Sequence, residues 1–269
     1  MWEVYPLNST IVLSDLHLCK RLSSIGDIAE LRPLWQGFDE LILNGDTEES
    51  YSKRYATRSQ DGRRTLVKLA EDDGLRVHLL NGNHDPMISN AHAYTLFEDK
   101  VLIMHGHAVF REVAPWTWYA PQIVAHRDEL LNEFGDCYES QLRATQLASE
   151  RSAKSRAVIN RPRFIALPFK MVWCVAKILQ TWKRFPVITE KWLATYAPKT
   201  KIVVVGHTHH AGIWNVHGRV IINTGCFGFP SHPRAVIIKN NTLKVVRIRK
   251  NNNMYYLAQE LGSWQLDAL

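Results

Sequence analysis

The feature that most restricts the fold of this chain is a series of short apolar runs that each end in a polar cluster. Thr10–Leu13 runs into Ser14-Asp15-Leu16-His17, and Glu40–Leu43 into Asn44-Gly45-Asp46. Leu75–Leu80 runs into Asn81-Gly82-Asn83-His84-Asp85, Val101–Met104 into His105-Gly106-His107, and Lys201–Val205 into Gly206-His207-Thr208-His209. Runs this short predict buried strands rather than helices. Helical stretches at Ile25–Gln36 and Arg63–Asp73 lie between some of them. The alternation predicts an α/β fold with a layered sheet. Loops that leave one edge of a sheet converge, so the polar clusters are expected to meet in space.

The series is interrupted from about Arg111 to Pro198, where the strand pattern gives way to long helical periodicity. This stretch, 111–198, reads as a helical insertion within a single domain that takes in all 269 residues. Strands are expected again at Gly212–Val216, Arg219–Asn223, Ala235–Lys239 and Thr242–Arg249, with Asn240-Asn241 as a hairpin turn. Met254–Leu269 is expected to be a short helix. A chain with 46% hydrophobic and 22% charged residues is a folded globular protein, long enough to bury a core without staples. Its four cysteines are scattered and form no C-x-x-C pair, as expected of reduced thiols in a cytoplasmic protein. The start, Met1-Trp2-Glu3-Val4, lacks the basic region and long apolar run of a secretory signal.

Each polar cluster has a bland reading on its own. Asp15-x-His17 is a turn with a capping residue, Asn44-Gly45-Asp46 and Asn81-Gly82-Asn83 are turn signals, and a lone His105 is a core histidine. Five clusters in series at strand ends, the last with two histidines, serve no packing purpose. Carboxylates, an amide oxygen and imidazoles together suit manganese, iron, zinc or nickel better than calcium or magnesium. No cysteine accompanies them, which argues against a structural zinc site. A carboxylate can bridge two cations at the ~3.5–4 Å separation of two-metal enzymes. Gly45, Gly82, Gly106 and Gly206 stand beside the candidate donors, where the backbone must turn sharply.

With these motifs the chain resembles the calcineurin-like metallophosphoesterase superfamily: DxH, GDxxD, GNH followed by an acid, a histidine after the fourth strand, and GHxH. The match runs from Asp15 to His209. The resemblance implies a sandwich of two β-sheets flanked by helices. It implies one metal held by Asp15, His17, Asp46 and His209 and a second held by Asp46, Asn83, His105 and His207, with Asp46 as the bridge. It also implies that a metal-bridging hydroxide attacks phosphorus, and that His84, not itself a ligand, stabilises the transition state or protonates the leaving group. Many members carry Asp three residues after the bridging Asp, where it orients the GNH histidine; here Glu49 stands in that place, one methylene longer. His107 and His210 fall outside the pattern and are expected to be structural.

The formal charge is +7, and it is unevenly spread. Arg151–Lys191 holds ten Lys/Arg and one acid, Glu190, so the rest of the chain is slightly acidic. A solvated helix face would explain such a run, and so would an anionic partner. Within the run, Phe164–Trp182 carries only two charges, Lys170 and Lys177. Lys177, Gln180, Thr181 and Arg184 form a narrow polar stripe on this apolar helix, with Pro168 at its start and Pro186 at its stop. An interfacial helix, a helix buried against the core and a membrane span all fit this pattern. A basic, apolar insertion between the His105 and His207 segments is similar to that of the UDP-2,3-diacylglucosamine hydrolases, which cleave a lipid-linked pyrophosphate, although those typically carry Arg where this chain has His84. A lipid-linked nucleotide-sugar at the membrane surface is therefore one expected substrate, with the protein peripheral to the membrane. A phosphomonoesterase, a cyclic nucleotide phosphodiesterase or a nuclease would use the same metals, and a non-catalytic scaffold is a further alternative. Nucleic acid is the weaker fit, because the tryptophans sit within apolar runs rather than on a stacking platform.

Overall fold

Alternation along the first strand already places the layers. In β1 (Ser9–Leu13), Ile11 and Leu13 point to one face and Val12 to the other, as the two-residue period of a strand requires. β2 (Glu40–Asn44) repeats this with Leu41 and Leu43 on the first face and Ile42 on the second. Ile11, Leu13, Leu41 and Leu43 pack against Leu34 and Trp35 of α1 (Arg32–Trp35) and Leu66 of α2 (Ala56–Asp72). Val12 and Ile42 face a second sheet and meet Ile202 and Val204 of β6 (Ile202–Val205). Val203 and Val205, on the other side of β6, lie under Phe185, Trp192 and Leu193 of α5 (Leu167–Tyr196). The computed structural model, which describes residues 9–21, 23–156 and 167–269, is thus an α/β sandwich: two sheets face to face with helices on both outer faces.

Among the described residues the first sheet has six strands. β3 (Arg76–Leu80) follows β2 in parallel, and β9 (Arg234–Lys239), β10 (Thr242–Asn251) and β11 (Met254–Gln265) extend the other edge in antiparallel fashion. The second sheet has the order β4 (Ala93–Leu96), β5 (Val101–Met104), β6, β8 (Arg219–Asn223), β7 (Gly212–Val216), with β5, β6 and β8 parallel. Among the described residues between β5 and β6 lie α3 (Ala120–Phe134), α4 (Tyr138–Arg156) and α5.

Three expectations are corrected. Met254–Leu269 is not a helix: Asn252 and Asn253 both take left-handed φ, and the tight turn they form folds β11 back on β10. The expected helix at Ile25–Gln36 is only a 3-10 turn, Ile28–Leu31, followed by one turn of α1. Pro186 does not end its helix, because α5 continues to Tyr196 with Pro186 inside it, in a stretch where Phe185, Trp192 and Leu193 anchor it to the second sheet. Asn240-Asn241 forms the expected turn, again with two left-handed residues. All four cysteines are free. No helix among the described residues is long and apolar enough to cross a membrane. Met1–Asn8, and Arg161, Arg163 and Phe164–Ala166 of the basic apolar run, lie outside the described residues.

Candidate metal centre

The polar clusters meet because β1, β2 and β3 run parallel in one sheet, and β5 and β6 run parallel in the other. Asp15 and Asp46 each lie two residues past their strand, His105 directly after β5, and His207 two residues past β6. Backbone hydrogen bonds lock the loops together: Asp15 N–H donates to Gly45 O (3.1 Å), His17 N–H to Asp46 O (2.9 Å) and Gly206 N–H to His105 O (2.9 Å). The two sheets are tied at the same point, where Asn44 Nδ2 donates to Met104 O (3.0 Å).

Local backbone geometry is unusual here. Asp15, His17, Asp46, His207 and His209 have φ of 53°, 45°, 51°, 65° and 56°, a left-handed conformation that non-glycine residues adopt rarely and at functional sites. The clusters are also crowded. Gly45 has φ of 77°, and a Cβ there would lie 2.6 Å from the His105 ring; a Cβ at Gly206 would overlap the Asp15 carboxylate.

The donor atoms of Asp15, His17, Asp46 and His209 lie within 4.8 Å of one another, and so do those of Asp46, His105 and His207. Asp46 stands between the groups, with Oδ2 3.3 Å from His105 Nε2 and 3.8 Å from His17 Nε2. Asn83 opens onto the same pocket as Asp46 and His207. Six of the seven residues expected to bind metal therefore lie together, and Asn83 lines the same cavity.

Hydrogen bonds made by the far side of each ring decide which nitrogen is left for a cation. His105 Nδ1 donates to Asn44 O at 3.0 Å, so Nε2 is the nitrogen turned to the Asp46 carboxylate. His17 Nδ1 lies 2.8 Å from Glu49 Oε1, which again leaves Nε2. His207 Nε2 lies 2.7 Å from Val113 O, which leaves Nδ1. The Nε2 atoms of His17 and His209 then face each other at 3.0 Å. Asn83 Oδ1 and His105 Nε2 are buried without a hydrogen-bond partner. Buried polar atoms left without a partner are unfavourable unless something fills the space among them. The residues present therefore fit divalent cations of the transition series.

Electrostatics agree. Asp46 is fully buried, yet the surrounding histidines, His105 foremost, outweigh burial and hold its pKa well below the usual carboxylate range. Burial would lower His105, but Asp46 and Asp15 push it up to about 9. Burial likewise opposes the charge on His209, and its hydrogen bonds to Asp15 and Cys226 raise it to about 10. His17 and His207 are pushed down by burial to about 4 and about 3.

Glu49 does more than the motif suggests. Its Oε2 accepts from His84 Nδ1 at 2.9 Å, as expected for an orienting acid, while Oε1 accepts from His17 Nδ1 at 2.8 Å. Lys20 Nζ lies 2.7 Å from Oε1. Burial would raise Glu49; His84 and His17 overcome it and hold the carboxyl far below its ordinary value. His84 is partly exposed, with Nε2 4.0 Å from Asp46 Oδ2. Asp85, in the motif only the acid after GNH, is completely buried and accepts the backbone N–H groups of Asp46 (3.0 Å), Thr47 (2.7 Å), Glu48 (3.2 Å) and Gly82 (2.8 Å). It thereby clamps the Asp46 loop to the Asn83 loop; burial and the Asp46 charge push its pKa up to about 7. Of the two histidines outside the motif, His107 is buried with neither ring nitrogen bonded, and His210 stacks on Trp182 with centroids 4.6 Å apart.

A cavity of about 310 Å³ opens over these residues. Asp46, Asn83, His84 and His207 form its polar end, and Val113, Trp116, Tyr119, Ile123, Ile178 and Trp182 give it apolar walls. Ile123 lies on α3, Ile178 and Trp182 lie on α5, and Val113, Trp116 and Tyr119 lie on the approach to α3. α5 and the segment before α3 are fastened to the last donor loop, because Trp182 Nε1 donates to Thr208 O (2.8 Å) and His207 Nε2 to Val113 O.

No family model matches the chain, and no curated protein matches it by sequence. Among solved structures it is similar to Vps29 from Entamoeba histolytica complexed with Zn2+, at 16% identity over 94% of this chain and 98% of that one, with a TM-score of 0.43. It is similar to vacuolar protein sorting 29 from Cryptosporidium parvum at 13% identity over 95% and 98% of the two chains, TM-score 0.43. It is also similar to a cold-active protein-tyrosine phosphatase of a psychrophilic Shewanella species at 15% identity over 94% and 81%, TM-score 0.40. Overlays this distant assign no activity, and the functional reading rests on the site.

Proposed function

We propose that this chain is a metal-dependent phosphoesterase that hydrolyses a phosphoester or pyrophosphate bond at this centre. The observation that carries the reading is the clustering of Asp15, His17, His105, His207 and His209 about one shared carboxylate, Asp46, with Asn83 Oδ1 buried and unbonded beside the same cavity. Asp15, His17, Asp46 and His209 would hold one divalent cation, and Asp46, Asn83, His105 and His207 a second. Manganese is the first candidate, with iron, zinc and nickel as alternatives. Bound there, two such ions supply Lewis-acid polarisation of phosphoryl oxygens and a lowered pKa for water.

The chain's own groups supply the rest. Glu49 fixes Nδ1 of His84, so Nε2 is the nitrogen turned to the cavity. As the new P–O bond from water forms and the bond to the leaving oxygen breaks, His84 Nε2 gives its proton to that oxygen. The walls admit a substrate with an apolar group close to the scissile phosphorus and exclude bulk water from it. A lipid-linked nucleotide-sugar has this character; a cyclic nucleotide or a bare phosphomonoester lacks it.

The test has two readouts. Metal analysis of the purified protein should find two ions per chain, and Asp46→Asn should lose most of both. A panel on the manganese-loaded protein, comprising a lipid-linked UDP-sugar, cyclic nucleotides, single-stranded DNA and an aryl phosphate, should favour the first. Asp46→Asn with two ions and wild-type turnover would refute the bridge.

A further inference from the structure

The outward face of α5 breaks the usual pattern of a helix on a protein surface. Positions 171, 172, 175, 176, 179, 180 and 183 are all exposed, the i, i+4, i+8 arc of one side. In water that arc should be polar. Here it holds Met171, Val172, Val175 and Leu179, exposed by 62%, 71%, 54% and 54%. Of the polar stripe expected along Lys177, Gln180, Thr181 and Arg184, Gln180 and Arg184 are exposed, Thr181 is buried, and Lys177 lies at the border with its ammonium 5.8 Å from the Trp173 ring. Trp173 in turn stacks on Trp118, itself half exposed, with centroids 4.4 Å apart.

We propose that this face is where the protein docks on an anionic lipid surface. Three observations select that occupant. The apolar arc is contiguous and aromatic at its border, as in helices that lie in a membrane interface. Its end and the turn beyond are cationic, with exposed Lys183, Arg184 and Lys191 and no exposed acid between Met171 and Lys191, which complements anionic headgroups and opposes a second copy of the same charge. The inner side of the same helix, Ile178 and Trp182, walls the cavity over the donor cluster. A bilayer on the outer face therefore lies one helix diameter from the site, within reach of a substrate anchored by an acyl chain. The location of the site rests on the phosphoesterase reading; the docking does not.

Sedimentation with phosphatidylcholine vesicles, with and without phosphatidylglycerol, tests this on the full chain. Binding is expected to the anionic vesicles, with a blue shift of tryptophan emission. Val172→Asp combined with Val175→Asp should weaken it at least about tenfold, and Lys183→Glu combined with Arg184→Glu by a similar factor that vanishes at high salt. Both variants should keep their metal content and melting temperature, since neither pair is buried. Three results would overturn the proposal: no binding to either vesicle, equal binding by the Val172→Asp, Val175→Asp variant, or a concentration-dependent dimer that this variant abolishes. Failure of the phosphoesterase reading would appear separately, as absent metal and absent turnover with vesicle binding intact.

Discussion

Replacing Glu49 by Gln should impair two steps at once. The carboxylate holds two rings, with Oε1 on His17 Nδ1 and Oε2 on His84 Nδ1, and its side chain is only 7% exposed. Both nitrogens act as donors, so the site needs two acceptors. An amide offers one acceptor and one NH2, and the ring facing the NH2 must give up its Nδ1 proton or lose the bond. If that ring is His17, the proton moves to Nε2 and removes the lone pair expected to bind metal. If it is His84, the ring loses its anchor. Hydrogen bonds to a charged group are worth about 1.5–3 kcal/mol, roughly a 10- to 150-fold effect. Partners behind metal ligands typically change affinity or activity by about 10- to 100-fold. Glu49→Gln should therefore weaken metal binding and lower kcat, each by roughly ten- to a hundredfold. Metal titration with a competing chelator and steady-state kinetics at saturating metal read the two effects separately. In a His84→Ala background the kcat effect of Glu49→Gln should disappear and the metal effect should remain. Wild-type metal affinity in Glu49→Gln, or a kcat loss undiminished when His84 is absent, would refute the two-ring role.

Three further outcomes follow from the same geometry. His84→Ala should keep the metals and lose about 10²- to 10⁴-fold in turnover of an alkyl phosphate, and much less with a nitrophenyl leaving group that departs without a proton; equal losses would contradict the acid role. Asp85→Ala leaves four backbone N–H groups without their acceptor and should destabilise the chain by about 3–5 kcal/mol in urea melts, with loss of metal; a change below about 1 kcal/mol would show that water replaces the carboxylate. In the metal-free chain His105 and His209 hold protons up to about 9 and about 10, whereas His17 and His207, near 4 and 3, are already neutral at pH 7. Metal must displace the first two protons, so affinity should rise with pH from 7 toward 9–10, and calorimetry in buffers of different ionisation enthalpy should find about two protons released at pH 7.

The donors were legible in the sequence because each sits one to four residues past an apolar run, and parallel strands bring such positions together at one edge. The reach of Glu49 to His17 was not legible. It depends on the loop after β1 lying beside the loop after β2, and a motif aligns residues along the chain rather than across loops. The role of Asp85 was hidden similarly, since its partners are backbone groups that leave no trace in side-chain pattern. β11 was misread because its burial alternates weakly, and the decisive signal is the Asn252-Asn253 turn before it rather than its own composition. On α5 the periodicity correctly gave a helix, but an almost wholly apolar helix does not say which side faces the protein.

Five donors held at left-handed φ carry a consequence for the life of the protein as well as for its chemistry. Each such residue is less favourable than glycine by about 1 kcal/mol or more. A folded domain has only about 5–15 kcal/mol in hand. A cation bound across these loops favours the folded chain alone and so offsets the strain. A cell short of that metal would then lose the protein as well as its activity, because molecules that failed to load would open these loops more often and be cleared by proteases.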